Sequence, residues 1–499
     1  MEQNTKYDVG NGIHRVPLWR IGGYALNNTA TNLYMFSMTF IAYFITGWVG
    51  LGVVLAGSFS MLMRLWDGIT DPFIGFILDK TDGKFGKNRP FMVIGNIILF
   101  VTSFIIFHVT PSIPEGGARI AFFIVMNLLY YIGYTFQCIV TKSAQSCVTN
   151  DPKQRPVFAI FDAIYNIILF MGLQIVVSSV LAPKYGGFTN DVGIFHEIWM
   201  IVAFASAVCT VIAVISIWPK DNRKYFGTGE AQQIRFSDYA EVLKNNRAIQ
   251  MLVLSASTDK LANAAKTGVV TVIMYGIVAG AYSLSGTFSL ITSVISIPFI
   301  IVLAGYFAGR LGQRKIMIVC SWVALIGNLL MALLWIAGDP TTLRLPGMEG
   351  FTGLSFFTIA LFVLTIITSG FMGVSAQIVI PMTADCADYE TYRTGKYVPG
   401  LMGTLFSFVD KLISSLAPFI TSLLIAAIGF KDVMPDVDTP YSDALRNVGV
   451  FITYGLVSIG LICNIIAMRF YPLTREKMEE IREKIAEIKA SHGDNDAAA

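Results

Sequence analysis

The sequence predicts an all-α membrane protein with twelve transmembrane helices in two six-helix halves. Three observations predict this. About twelve apolar runs are each long enough to cross a membrane, a crossing needing about 20 helical residues. Charge is scarce: Asp, Glu, Lys and Arg make up 14% of the chain, against about 25% in soluble proteins, and the mean hydropathy is +0.62. Basic residues concentrate in alternate loops. The net charge of +3 gives no case for a nucleic-acid partner.

The apolar runs lie near 21–46, 52–78, 91–110, 120–146, 157–182, 197–218, 248–279, 284–308, 316–337, 353–380, 401–428 and 447–471. They are too long and too uniformly apolar for barrel strands, so helices are the structure that satisfies their backbone in lipid. With the N-terminus inside, inner loops hold Lys80, Lys84, Lys87, Arg89, Lys153, Arg155, Lys220, Arg223, Lys224, Arg235, Lys244, Arg247, Arg310, Arg314, Lys315, Arg393 and Lys396. The outer loops hold only Arg119, Lys184, Arg344, Lys431 and Arg446. That bias places both termini in the cytoplasm. Residues 1–20 are polar, and the first apolar run is too long for a cleaved leader.

The polar stretch 219–247 divides the chain into an N-terminal half, 1–218, and a C-terminal half, 248–473, with a cytoplasmic tail over 474–499. Each half carries a glycine-and-charge turn after its second run: Gly75 to Gly83 in the first, Gly305 to Lys315 in the second. Internal repeats of this kind mark transporters, whose substrate site lies near midplane between the repeats. This turn resembles the loop signature of the major facilitator superfamily, which implies that fold. In the tail, Met478, Ile481, Ile485 and Ile488 form an apolar stripe at helical spacing, which predicts a surface helix.

The polar residues inside the runs carry the function. Asp67 and Asp71 are four apart and share one helical face. Each costs roughly 2.5–3.5 kcal/mol to insert, so a chain that keeps both has a use for them. They suit a sodium ion, with hydroxyl oxygens from Thr70 or Thr135, since hard cations take oxygen ligands. Alternatively they share a proton, because close carboxylates raise one another's affinity for it. A structural ion pair, Arg64 with Asp67 or Lys411 with either acid, is the third reading. Pro72 loosens the helix after Asp71, as a fixed kink or as part of a gate. Further intramembrane polar residues are Asn27, Asn28, Thr31 and Asn32; Tyr134, Gln137 and Lys142; Asp162 and Asn166; Asp259, Lys260, Asn263 and Lys266; and Asp410 and Lys411.

The segment Arg64-Leu-Trp-Asp67-Gly-Ile-Thr-Asp71-Pro72, with Gly75 and Gly86-Lys-Asn-Arg89-Pro90, resembles the signature of the glycoside–pentoside–hexuronide:cation symporters. So do Pro381, Asp385, Asp388-Tyr389-Glu390, Thr394-Gly395-Lys396, Gly400, Phe408 and Lys411, and Arg20-Ile-Gly-Gly-Tyr24 with Asn27 and Asn28. The resemblance implies that Asp67, Asp71 and Thr135 bind the coupling cation, with Lys411 nearby. Thr70 stands where the melibiose carrier has an asparagine, so sodium and proton both stay open. Asn28 and Cys138 stand where that carrier has sugar-binding acids, and Lys142 where it has a stacking tryptophan. Two negative charges are lost and one positive charge is gained. A lysine in a wet cavity suits an anionic group, which points to an acidic sugar such as a hexuronide or glucuronide; the other reading pairs Lys142 with Asp162 or Asp259. Asn32, Tyr134, Lys266 and Lys411 complete the expected substrate-facing set.

The expectation is therefore a multi-pass transporter of the bacterial cytoplasmic membrane, a symporter of a sugar-like solute with sodium or a proton. It needs no cofactor, no nucleic acid and no protein partner. Arg89 and Arg155 in one half and Asp385 and Asp388 in the other are the candidate inner latch. No nucleophile–base set, phosphate loop or metal-ligand cluster points to an enzyme. The six cysteines show no paired spacing and read as small buried residues. The rival functions are a carrier of the same fold for an organic anion or a lysolipid, and a membrane sensor that binds sugar without moving it.

Overall fold

A computed structural model describes residues 8–9, 13–81, 83, 85–149, 151, 154–222, 236–307, 312–345, 354–394, 399–481 and 483–484. Among them the architecture is helical, apart from a two-residue antiparallel pairing of Asp8–Val9 with Ile13–His14. The principal helices are α1 (Leu18–Ser37), α2 (Val53–Lys80), α3 (Arg89–Phe104), α4 (Gly117–Ser143), α5 (Arg155–Val176), α6 (Gly193–Ile217), α7 (Arg247–Ala265), α8 (Leu284–Phe307), α9 (Gln313–Ala337), α10 (Phe356–Thr394), α11 (Pro399–Ser414) and α12 (Leu456–Phe470). Among the described residues nine helices are long and apolar enough to cross a membrane, or ten if α7 and its continuation Val269–Val278, bent by 56°, count as one span. The other two predicted runs are also helical. One is α1 with its extension to Val49, and the other is α2, which is the more polar for carrying Arg64, Asp67 and Asp71.

The chain forms two compact units. The first comprises Met1–Glu230 with Thr271–Leu290 and Ser422–Pro440. In it α1 packs on α6 and α5, and α4 packs on α3 and α2. The α3–α4 crossing is close because two glycines face each other: a Cβ on Gly95 would stand 3.0 Å from the Gly133 carbonyl oxygen, and one on Gly133 3.1 Å from that of Gly95. Small residues at a crossing let helices approach in lipid, where no hydrophobic force drives them together. A cluster of aromatic rings closes one end of the unit. Phe188 stacks on Phe40 and Tyr43, and Phe44 meets Phe107 and Phe195 edge-on.

At that end the later segments join the first helices by polar contacts. Tyr43 Oη donates to the Pro435 carbonyl at 2.9 Å, and Val53 N donates to the Lys431 carbonyl at 2.8 Å. The Asp436 carboxylate accepts from Phe188 N, Thr189 N, Thr189 Oγ1 and Val437 N at 2.6 to 2.9 Å. Burial raises the Asp436 carboxyl above the ordinary value, and those hydrogen bonds oppose the rise.

In the second unit, Ala231–Val270, Ile291–Thr421 and Tyr441–Ala499, α7 packs on α11 and α12, and α9 packs on α10 and α12. Its core joins Leu252, Met317, Met382, Cys386 and Met468. Met478 and Ile481 of the tail are buried in that same core. The stripe predicted for the tail is therefore a docking face as far as Ile481; Ile485 and Ile488 lie outside the described residues. Outward-facing apolar side chains such as Phe73, Phe204 and Ile301 are two-thirds or more exposed, as lipid-facing residues are.

Candidate functional site

The predicted cation residues meet where α2 crosses α4. Asp67, Thr70 and Thr135 are buried and Asp71 is half-buried. Thr135 Oγ1 lies 3.3 Å from Asp67 Oδ1, 2.9 Å from Thr70 Oγ1 and 2.9 Å from the Tyr131 carbonyl. Thr70 Oγ1 lies 3.0 Å from the Asp67 carbonyl. Five oxygens thus lie together, an oxygen-lined corner. Helical geometry sets it up: positions 67, 70 and 71 fall on one face of α2, and Tyr131 precedes Thr135 by one turn on α4. α2 continues unbroken through Pro72. Proline has no N–H, so the Gly68 carbonyl one turn earlier is deprived of its helical donor.

The expected substrate residues of the first unit fall on the adjoining seams. Asn28 hydrogen-bonds the Asp162 carboxylate, and Asn32 Nδ2 donates to Asn166 Oδ1 at 2.7 Å. These are two rungs of one ladder between α1 and α5. Tyr134 and Cys138, one turn apart on α4, are hydrogen-bonded to each other, and Tyr134 lies within electrostatic reach of Asp67. The neighbouring polar residues of α1 knit the bundle: Asn27 Nδ2 donates to the Gln137 carbonyl and to Thr141 Oγ1, and Thr31 Oγ1 to Gln137 Oε1. Lys142 lies on α4 and Arg155 begins α5, but their side chains fall outside the described set.

In the second unit Lys266 sits at the break after α7, within electrostatic reach of Asp259. Lys260 pairs with Asp410, the residue before Lys411 on α11. Asp385 and Asp388 are half-buried on α10. Glu390, two residues after Asp388, pairs with Arg393 at 2.8 Å and accepts from Asn246 Nδ2 at 2.9 Å. The described residues hold no group of three His, Cys, Asp or Glu spaced for a metal ion.

Arg89 has a partner that sequence reasoning missed. The Asp221 carboxylate, fully buried just beyond α6, accepts from the backbone N–H of Lys87, Asn88 and Arg89 at 3.0 to 3.1 Å. It also accepts from Asn88 Nδ2 at 2.9 Å and Arg89 Nε at 3.3 Å. Gly86, with φ +85°, turns the chain into this cradle, and a Cβ there would stand 2.6 Å from the Asp221 carbonyl oxygen. An anion at the first N–H groups of α3 satisfies donors that have no helical acceptor. The signal was available: an acid just beyond the last apolar run of the first half, facing a basic turn.

The chain as a whole is similar to known transport proteins. Residues 23–475 match the family described as MFS/sugar transport protein. The chain is 25% identical to the glucuronide carrier protein homolog of Escherichia coli over 93% of this chain and 94% of that protein. It is 31% identical to a putative glycoside/cation symporter of Escherichia coli, over 27% of this chain and 29% of the relative. Among solved structures it is similar to the nucleoside transporter NupG, with a TM-score of 0.60 and 12% identity over 92% of this chain and 100% of the other.

Proposed function

Because the chain belongs to the MFS/sugar transport family, we propose that it is a cation-coupled symporter of glycosides whose solute is an acidic sugar such as a glucuronide. It is a multi-pass membrane transporter and not an enzyme. The observation that carries the cation half is the oxygen-lined corner at Asp67, Thr70 and Thr135. A buried carboxylate, two hydroxyls and two carbonyls brought together offer a cation hard oxygen ligands. Asp71, one turn further on, and the Gly68 carbonyl supply more oxygen. Such a set suits sodium, and a proton is the alternative cargo.

The solute half rests on the polar seams of α1, α4 and α5, with Asn28, Asn32, Tyr134, Cys138 and Lys142 facing the solute and Lys266 and Lys411 contributing from the second unit. The glucuronide relative and the gain of Lys142 support an anionic solute. Tyr134 links the two halves, being hydrogen-bonded to Cys138 and within reach of the Asp67 charge. A cation at Asp67 therefore changes the field felt by Tyr134. Coupling requires that cation and solute raise each other's affinity by one factor. Transport follows as two six-helix halves, 1–218 and 248–473, rock about the site with both termini cytoplasmic. The linker 219–247 and the tail 474–499 lie on that inner side. The inner latch has as its candidates Arg89, which also pairs with Asp221, and Arg155 in one half and Asp385 and Asp388 in the other.

The test is a solute panel in proteoliposomes with sodium and pH gradients imposed separately. Accumulation of glucuronides driven by either gradient supports the reading. Binding with no accumulation or exchange of any glycoside overturns it in favour of a sensor.

A further inference from the structure

Asp162 lies on α5, inside the membrane, and takes no part in the cation corner. Its carboxylate meets Asn28 on one side. The other oxygen, Oδ1, is buried and accepts no hydrogen bond from the described residues. An ionised oxygen left in this way loses its hydration and gains nothing in return, so it is the kind of group that a site holds ready for an incoming donor. The surroundings match that purpose. The Asn28–Asp162 rung is repeated one turn further on by Asn32–Asn166, at 2.7 Å, so one face offers three amides and a carboxylate. Ile160, Ile164 and Ile168 occupy a separate face of α5 and are about half exposed or more, which leaves the Asp162 face turned to the bundle.

We infer that Asp162 is a specificity-determining residue for the solute: its Oδ1 accepts a hydroxyl of the sugar ring, while Asn28 holds the second oxygen in place. The inference rests on the symport reading and names one of its solute contacts. A carboxylate suits the hydroxyl-bearing part of a glycoside and repels its acidic part. Asp162 therefore orients an acidic sugar with its carboxylate pointing away from α5. The amide ladder supplies both donors and acceptors to neighbouring hydroxyls.

The experiment measures gradient-driven uptake of methyl β-D-glucuronide and its ring-deoxy analogues by the full-length protein in proteoliposomes. Wild type is compared with Asp162→Asn and with the swap Asn28→Asp/Asp162→Asn. A charged hydrogen bond is worth roughly a tenfold to hundredfold in affinity. Asp162→Asn should raise the half-saturating glucuronide concentration by about that factor and leave the half-saturating cation concentration, measured at saturating solute, within about twofold. One deoxy analogue should bind wild type poorly and lose no further affinity in Asp162→Asn. The swap, which moves the charge across the rung, should recover part of the affinity. An unchanged solute response in Asp162→Asn overturns the inference, and so does a change in the cation response alone, which would make Asp162 a proton site. If wild type accumulates no solute under either gradient, the symport reading fails instead. A misfolded Asp162→Asn is bypassed by the deoxy series on wild type and the swap, where equal affinity for every ring-deoxy analogue overturns the inference.

Discussion

Thr135 on α4 reaches Asp67 on α2, with 3.3 Å between Oγ1 and Oδ1, and the same hydroxyl touches Thr70 and the Tyr131 carbonyl. It ties the acid to the neighbouring helix and to the second threonine. Removing its oxygen leaves Asp67 in place and takes away one ligand. Thr135→Ala should raise the half-saturating cation concentration for uptake about 5- to 30-fold, the worth of one polar ligand of about 1–2 kcal/mol. Thr135→Ser should restore it.

The Asp221 cradle is structural in the first unit, and its loss should show in stability. Five donors turn to one buried carboxylate. Asp221→Ala leaves Arg89 and three backbone N–H groups without it, at a cost of about 3–5 kcal/mol. The midpoint of thermal unfolding should fall sharply while detergent-solubilised wild type holds. Gly86→Ala should fall in the same direction, because its φ is +85° and its Cβ would press on the Asp221 backbone.

Cys147 reports on the same cradle. Burial pushes its thiol up to about 12, the Asp221 charge pushes the same way, and Lys87 opposes both. The thiolate is the reactive form, so maleimide at neutral pH should leave Cys147 unlabelled in the folded protein. In Asp221→Ala, labelling at Cys147 should rise at least severalfold, read by mass spectrometry.

The Asp436 clamp predicts a pH dependence. Burial holds its carboxyl above the ordinary 3.8, so the clamped state binds a proton more tightly than a released, solvated Asp436. Stability of the clamp is then greatest below pH 3.8 and is lost as pH rises through the raised value. Hydrogen exchange at the Phe188 and Thr189 amides, corrected for intrinsic rate, should show more protection as pH falls through that window. In Asp436→Asn the slope should vanish.

The helical fold and the shared face of Asp67, Thr70 and Asp71 were legible because both follow from one-dimensional rules. Twenty apolar residues make a span, and acids four apart share a face. Asp67, Thr70 and Asp71 needed only α2 to be a helix, and Thr135 was singled out as an intramembrane hydroxyl that the resemblance also implied. Asp221 was visible as an acid just beyond the last apolar run of the first half, but its pairing with Arg89 was not legible. The latch reading looked for acids on the far half, while Asp221 lies 132 residues away on the same unit, at the end of a helix whose return to α3 only tertiary packing fixes. Asn28 read as a lost carboxylate, since nothing in its own segment shows that Asp162 faces it. The tail stripe read as a surface helix because periodicity reveals an apolar face and not what covers it; Met478 and Ile481 are covered by the second unit's core.

The central claim is that Asp67 holds the coupling cation. Asp67→Asn keeps the shape of the α2–α4 corner and removes its charge. Reconstituted protein should still exchange glucuronide down its own gradient, or bind it with reduced affinity, but neither a sodium gradient nor a pH gradient should drive accumulation. Accumulation by Asp67→Asn at the wild-type level under either gradient would contradict the account.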